Sequence, residues 1–241
     1  MTTLPAPAST TRDAAGRVPV ALFDLDHTLL PLDSDYEWGV FTTRIGWTDP
    51  VAFARRNDAF FADYQAGRLD VHAYVAFATE AIRRAGPQAA AAAHARFMAE
   101  VIEPVLRPEA RALVAAHRAR GERVAIVTAT NEFVTAPIAR ALGVDELIAV
   151  RLQRDASGWI TGGIDGVPSF REGKVQRVQA WLQQQGLSRE QAHLTFYSDS
   201  TNDLPLLQYA DVPVATNPSG ALRALARQRG WRILDLFEPK P

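Results

Sequence analysis

The 241-residue chain has 26 basic and 27 acidic side chains, a formal net charge of −1, and no cysteine. This balance argues against a nucleic-acid partner, and the lack of cysteine excludes disulfides, thiolate zinc sites and a cysteine nucleophile. Hydrophobic residues make up 47% of the chain, and no stretch approaches the roughly 20 apolar residues of a membrane span. We therefore expect a globular, cytoplasmic protein that binds neither nucleic acid nor a membrane.

The first 16 residues have no apolar periodicity and no targeting pattern, so residues 1–16 are predicted to be a disordered tail. Four short apolar runs follow, and each stops at a polar residue, as buried parallel strands do. They cover residues 18–23, 123–127, 192–197 and 212–215. Segments with helical spacing alternate with them, at residues 113–120, 133–142, 175–185 and 222–229. This alternation predicts an α/β fold with a doubly wound, Rossmann-like parallel sheet.

The strand pattern disappears between residues 32 and 104. Helical spacing replaces it, which predicts helices at residues 36–45, 51–65, 71–84 and 88–101. We interpret residues 32–104 as an inserted helical domain, and residues 17–31 together with 105–241 as the core. Four glycines punctuate residues 151–170, and this pattern predicts a β-hairpin or flap.

Acidic residues stand where two of the predicted strands end. Asp24 and Asp26 follow the first strand two residues apart, so both side chains are expected on the same side. Asp199 follows a later strand, and Asp203 begins the next helix. Carboxylates this close repel one another unless a cation or a shared proton lies between them. Oxygen ligands without cysteine suit Mg²⁺, although acidic residues at 199 and 203 are also typical of helix N-terminal caps.

Two further residues indicate a site for an anion. Lys174 opens the predicted helix 175–185, where a positive charge opposes the helix dipole. Beside the acidic residues, this lysine favours a phosphate or carboxylate partner. Thr128 ends the strand predicted at 123–127, where its hydroxyl and the nearby amides can donate to an anion. Thr130 and Asn131 are interpreted as helix caps.

In order and setting, these residues resemble the four motifs of the haloacid dehalogenase-like hydrolases. The motifs are Asp24-Leu25-Asp26-His27-Thr28, then Thr128, then Lys174, then Asp199 with Asp203. The resemblance covers residues 18 to about 234. The helical insertion lies between the first and second motifs. In this it resembles the subfamily that includes phosphoserine phosphatase, whose cap domain is inserted at the same place.

The resemblance implies a Mg²⁺-dependent phosphatase that hydrolyses a small phosphomonoester through an aspartyl-phosphate intermediate. Asp24 would be the nucleophile, and Asp26 the general acid and base. Mg²⁺ would be held by the Asp24 side chain, the Asp26 backbone carbonyl and Asp199, with Asp203 as a further ligand or an orienting group. The residues that would bind the phosphoryl oxygens are Thr128 and Lys174.

The cap departs from the phosphoserine phosphatase pattern. Asp33 stands where that subfamily has a glutamate, and this shorter acid can still bind a substrate ammonium group. The arginine that receives the serine carboxylate would fall near Ala76, although Arg83 and Arg84 are close. The second motif also differs, because a Thr-Ala-Thr sequence replaces the usual Ser-Gly-Gly. These departures keep histidinol phosphate, or another amino-alcohol phosphate, as an alternative substrate.

Two further alternatives come from other functional classes. A phosphotransferase or mutase on the same scaffold differs only in whether water or a second hydroxyl reaches the aspartyl-phosphate. A receiver-type phospho-acceptor also combines acidic ligands, an aspartate, a threonine and a lysine. Receivers are about half this length, however, and would leave Asp26 and the helical insertion without a purpose. The sequence leaves the oligomeric state open.

Overall fold

The computed structural model describes residues 12–237. Residues 1–11, which make up most of the predicted tail, lie outside the described residues, as do residues 238–241. Residues 12–16 form a turn in which the Asp13 carboxylate accepts hydrogen bonds from the backbone N–H groups of Ala15 and Arg17. Within residues 12–237, no helix combines the length and apolar character that a membrane-spanning segment needs.

Six parallel strands form the central sheet. In chain order they are β1 (Val18–Phe23), β2 (Arg123–Asn131), β3 (Glu146–Val150), β6 (Ala192–Ser198), β7 (Val212–Thr216) and β8 (Arg232–Leu234). A separate antiparallel hairpin contains β4 (Leu152–Arg154) and β5 (Ile160–Ile164), which confirms the predicted hairpin. The sheet order is β3-β2-β1-β6-β7-β8, so the strand order reverses beside β1. Ligands bind at such reversal points in open α/β sheets.

Five core helices cover both faces of this sheet. They are α5 (Pro108–Ala119), α6 (Glu132–Ala141), α7 (Glu172–Gln184), α8 (Leu204–Tyr209) and α9 (Gly220–Arg229). Along β1 the buried side chains alternate, because Ala21 and Phe23 join one hydrophobic cluster and Val20 and Leu22 join the other. Helices α5 and α6 contribute to the first cluster, and α7, α8 and α9 to the second. This arrangement confirms the predicted doubly wound α/β fold.

The segment between β1 and α5, which is predicted to be an inserted cap and is called the cap below, contains four α-helices. They are α1 (Ser34–Arg44), α2 (Pro50–Gln65), α3 (Val71–Ala78) and α4 (Glu80–Phe97). An aspartate caps each of the first three, because the side chains of Asp33, Asp49 and Asp70 accept backbone N–H groups of the following turn. The predicted domain boundaries at residues 32 and 104 stay predictions.

The structure corrects the predicted boundaries of two secondary-structure elements. The single helix predicted at residues 71–84 is divided at Thr79, which ends α3 and precedes α4. Helix α4 is itself interrupted at Gly86, whose φ of 77° lies in the left-handed region and precedes Pro87. Strand β2 continues past Thr128 to Asn131, with a change of register against β3 on the way. The predicted strand end at Thr128 is therefore wrong.

Candidate active site

The carboxyl ends of β1 and β6 bring Asp24 and Asp199 to the same edge of the sheet. Phe23 pairs with Tyr197 in the ladder, and the Asp24 backbone N–H donates to the Tyr197 carbonyl at 2.9 Å. The Thr28 hydroxyl lies 3.5 Å from Asp24 Oδ2 and 3.2 Å from Asp199 Oδ1. Both carboxylates therefore face one hydroxyl at the point where the strand order reverses.

A buried lysine links this edge to the next helix. Lys174 lies in the first turn of α7, is 1% exposed, and places its Nζ 2.8 Å from Asp24 Oδ1. The same Nζ lies 2.7 Å from Asp203 Oδ1, and the Ser198 hydroxyl donates to Asp203 Oδ2 at 2.8 Å. The predicted residues Asp24 and Asp203 thus contact the buried ammonium group of Lys174, and Asp199 joins them through the Thr28 hydroxyl.

The carboxyl groups here have shifted pKa values. Burial raises the pKa of Asp24, while the charge of Lys174 opposes this shift. Burial, followed by the charges of Asp24 and Asp203, raises the pKa of Asp199 well above its usual range. Burial also raises the pKa of Asp203 to about 6 against the opposing charge of Lys174. One ammonium group is therefore not enough to compensate three carboxylates, and the site favours a further cation or a shared proton.

The donor atoms at this edge fit a hard divalent cation. They are carboxylate and hydroxyl oxygens, which Mg²⁺ prefers, and a Mg²⁺ site needs only one or two carboxylates when water and phosphate complete the shell. Within residues 12–237, no group of three or more histidine, aspartate or glutamate side chains is arranged to hold a metal ion. Because Lys174 contacts both carboxylate oxygens of Asp203, the orienting role predicted for Asp203 fits its surroundings better than direct ligation.

Asp26 is held separately from this ion cluster. Its Oδ1 accepts the backbone N–H of Ser34 at 2.8 Å, and its Oδ2 accepts the Thr130 hydroxyl at 2.9 Å. Burial, followed by the charge of Asp33, raises the pKa of Asp26 to about 6. The prediction that Thr130 is a helix cap is therefore wrong, because the residue whose side chain caps α6 is Asn131. A carboxyl group with a pKa near 6 can both release and accept a proton close to neutral pH.

A cavity lies at this edge of the sheet, and Thr128 is one of the residues at its floor. Its side chain is buried, and its hydroxyl oxygen accepts the backbone N–H of Thr130 at 3.1 Å. The cavity floor also includes Asp24, Asp26 and Asp199. The hydroxyl hydrogen of Thr128 is thus free of this bond and can be donated to an anion bound there.

The cap forms an aromatic wall over this floor. The cap rings that line the cavity, together with Phe170 of the core, are Tyr36, Phe60, Phe61, Tyr64 and Tyr74. Two cap carboxylates, Asp33 and Asp35, also line it. In the part of the chain that the structure describes, the lining contains neither lysine nor arginine.

The comparison with known proteins identifies the family. A family model described as haloacid dehalogenase-like hydrolase matches residues 21–208. The chain belongs to this family. The match confirms the predicted resemblance and the prediction of a hydrolase.

Some relatives of this haloacid dehalogenase-like hydrolase carry phosphatase names. A histidinol-phosphatase of Neisseria meningitidis serogroup C is 37% identical over 217 residues, which cover 90% of this chain and 98% of the relative. A solved structure of a protein of unknown function from Bordetella pertussis Tohama I is 48% identical, with a TM-score of 0.86 over 92% of this chain and 100% of that chain. A substrate-bound phosphoserine phosphatase complex, 18% identical, has a TM-score of 0.63 over 89% of this chain and 91% of that chain, and shows the shared fold alone. The enzyme class predicted from the sequence, phosphoric monoester hydrolase, agrees with these names.

Of the cap residues considered from the sequence, Asp33 lies at the cavity, whereas Arg83 and Arg84 lie away from it. Asp33 lines the cavity, but its Oδ1 accepts the backbone N–H groups of Asp35 and Tyr36 at 3.0 and 2.9 Å as the cap of α1. Arg83 packs against the hairpin at Gly162, and Arg84 donates to the Trp47 carbonyl. Neither arginine reaches the cavity of this haloacid dehalogenase-like hydrolase.

Three residues of the site were not predicted as such. Thr130 and Ser34 hold the Asp26 carboxylate, and Asp35 is a buried acid of the cavity wall. An acidic residue in the first turn of a helix is typical of a favourable dipole interaction, so the sequence around Asp35 carries no signal of a binding role. The contact between Thr130 and Asp26 joins residues 104 positions apart, and only the fold brings them together.

Proposed function

We propose that this protein is a Mg²⁺-dependent phosphatase that hydrolyses a small phosphomonoester through an aspartyl-phosphate on Asp24. The observation that carries the proposal is the grouping of Asp24, Lys174 and Asp199 at the strand reversal, beneath a cap that closes the cavity with aromatic rings. A carboxylate held beside a buried ammonium group in such a cavity is suited to attack phosphorus, because it is positioned and screened from water.

In the first half-reaction, an Asp24 oxygen forms a bond to phosphorus while the bond from phosphorus to the ester oxygen breaks. Asp26 gives its proton to the departing alkoxide. In the second half-reaction, Asp26 takes a proton from water, whose oxygen attacks phosphorus and releases Asp24. The pKa of Asp26, raised to about 6 by burial and by Asp33, supports this double role because both protonation states are populated near neutral pH.

Two residues are proposed to hold the phosphoryl group during transfer. Lys174 Nζ lies 2.8 Å from the proposed nucleophile and keeps its positive charge, because the charges of Asp203 and Asp24 together outweigh the effect of burial on its pKa. Thr128 lines the cavity floor, and its hydroxyl hydrogen is not used in the bond to Thr130. Donors fixed in this way stabilise the charge that spreads over the phosphoryl oxygens.

The Asp24 and Asp199 side chains and the Asp26 backbone carbonyl are proposed to hold Mg²⁺, with Asp203 orienting Lys174. When bound, the ion would neutralise charge on the phosphoryl oxygens and reduce their repulsion by Asp24. The Asp24 and Asp199 carboxylates lie 3.5 and 3.2 Å from the same Thr28 hydroxyl, and this grouping of two acids supports a cation at this position.

The cavity wall favours an amine-bearing substrate without a carboxylate. Phosphoserine carries a carboxylate, which needs a positively charged or N–H donor, whereas the described lining contains neither lysine nor arginine. Histidinol phosphate has an amine and a planar imidazole and no carboxylate. The cap acids and rings, together with the full-length similarity to a histidinol-phosphatase, support histidinol phosphate as the substrate.

The test is phosphate release from histidinol phosphate, phosphoserine and p-nitrophenyl phosphate, each with Mg²⁺ and with EDTA. We expect Mg²⁺-dependent turnover, highest in kcat/KM for histidinol phosphate, and its loss in Asp24→Asn. Equal turnover by Asp24→Asn, or turnover unchanged by EDTA, would rule out the proposal. A preference for phosphoserine would reject the substrate assignment and leave the phosphatase chemistry in place.

A further inference from the structure

On the cap side, the cavity lining has no lysine or arginine in the part of the chain that the structure describes. Among the described residues, five aspartates line the cavity, and they are Asp24, Asp26, Asp33, Asp35 and Asp199. Lys174 lies beneath them, between Asp24 and Asp203. The ammonium group and the proposed divalent ion together carry the charge that balances three carboxylates of the floor. For Asp33 and Asp35, on the cap side, the described lining of the cavity supplies no lysine or arginine, and its one histidine is His27.

Asp35 is the more deeply buried of the two cap acids. Its residue is 6% exposed, whereas Asp33 is only partly buried. The hydrogen-bond donors to the Asp35 carboxyl group are neutral: Asn131 Nδ2 at a long 3.4 Å, and the Tyr74 hydroxyl. By contrast, Asp33 Oδ1 accepts hydrogen bonds from two backbone N–H groups at the start of α1. Each carboxyl group thus accepts two donors, but Asp35 is the more deeply buried of the two, so less water competes for the bond that it can still accept from a charged donor.

The surroundings of Asp35 suit a cationic, planar group. Tyr74, which bonds Asp35, packs against Phe60 with ring centroids 5.2 Å apart. Tyr36 packs against Phe61 at 5.4 Å on the same wall of the cavity. Aromatic faces attract cations and stack on planar rings. A buried acid framed by such rings recognises a protonated nitrogen, and it disfavours a carboxylate by repulsion.

We propose that Asp35, and not the helix-capping Asp33, accepts the protonated nitrogen of the leaving group and determines the specificity of the enzyme. The inference rests on the proposed phosphatase function. It assigns the enzyme to phosphomonoesters whose leaving group carries a protonated nitrogen and no carboxylate. Tyr74 and Asn131 are positioning residues, because they hold the Asp35 carboxyl group and complete its hydrogen bonds.

Asp35→Asn and Asp33→Asn are the matched variants that test this assignment. Each replaces an acid by an amide of the same shape, and asparagine also caps helices well, so Asp33→Asn keeps the start of α1. The measured quantity is the ratio of kcat/KM for histidinol phosphate to kcat/KM for p-nitrophenyl phosphate, which has a neutral ring. We expect this ratio to fall by about 10- to 100-fold in Asp35→Asn, as for the loss of a hydrogen bond to a charged group, and by less than about threefold in Asp33→Asn.

A second readout separates binding from a general structural effect. Free histidinol should inhibit the wild-type enzyme competitively, and its inhibition constant relative to that of inorganic phosphate should rise by about 10-fold or more in Asp35→Asn. An Asp35→Asn enzyme with an unchanged substrate ratio, or a larger change in Asp33→Asn, would overturn the assignment. A wild-type enzyme without Mg²⁺-dependent activity on either substrate would instead overturn the proposed function itself.

Discussion

Lys174→Met directly tests the buried ion cluster that Lys174 forms with Asp24 and Asp203. Methionine has nearly the length of lysine but lacks the ammonium group, which lies 2.8 Å from Asp24 and 2.7 Å from Asp203. Because Lys174 is 1% exposed, water cannot take the place of this group around the two carboxylates. Breaking a buried ion pair by removing one partner costs about 3–5 kcal/mol, a large share of the about 5–15 kcal/mol that stabilises a typical protein.

Urea unfolding followed by circular dichroism, in EDTA at pH 8, measures this loss. We expect the free energy of unfolding to fall by about 3–5 kcal/mol in Lys174→Met. At pH 5 the loss should be smaller, because burial raises the pKa of Asp203 to about 6 and the unpaired carboxyl group then takes up a proton. The double variant Lys174→Met/Asp203→Asn should be more stable than the sum of the single changes predicts.

Arg44→Met is the matched control. Arg44 pairs with Glu100 at 2.7 Å, but its side chain is 56% exposed, so its removal should cost about 0–1 kcal/mol. A loss below about 1 kcal/mol in Lys174→Met, no larger than in this control, would refute the argument that a desolvated ammonium group holds the cluster together.

Two more predictions concern residues that sequence patterns did not reveal. Thr130→Val removes the hydroxyl that donates to Asp26 Oδ2 at 2.9 Å, so kcat should fall by about 10-fold or more. Thr130→Ser keeps this hydroxyl and should keep most of the activity. Equal losses of activity in both variants would contradict this prediction. Burial, and then Asp33, raises the pKa of Asp35 from 3.8 to about 7, so the folded protein binds this proton more tightly than the unfolded chain. This group should therefore lower the free energy of unfolding by roughly 2–3 kcal/mol as the pH rises from 5 to 8. In Asp35→Asn, the free energy measured by urea unfolding should depend less steeply on pH. Identical pH profiles in the wild-type and variant proteins would contradict this prediction.

The sheet could be predicted wherever its strands are continuous apolar runs. Strand β1 matches its predicted range, and β6 and β7 each extend one residue further. Strands β3 and β8 were missed. Strand β3 begins with an exposed glutamate at an edge of the sheet, and β8 is only three residues long. Edge strands need fewer buried side chains, so their apolar pattern is short and weak.

The floor of the site could be predicted for a topological reason. In a parallel sheet, the residues after neighbouring strands meet at one edge, so Asp24 and Asp199 come together whatever the details of their loops. The cap wall could not be predicted in this way. Asp33 and Asp35 lie two residues apart at the start of α1, and from the sequence local capping explains both equally well. Only the fold shows that Tyr74 of α3 lies beside Asp35 of α1.

Detection of a covalent phosphate on Asp24 tests the central claim most directly. Asp26→Asn should slow hydrolysis of the phosphoenzyme, so acid quenching during turnover of p-nitrophenyl phosphate, followed by peptide mass spectrometry, should find the acyl phosphate. We predict phosphate on the peptide that contains Asp24, and none in the Asp24→Asn/Asp26→Asn double variant. Phosphate release without any covalent label, or a label on another residue, would contradict the account.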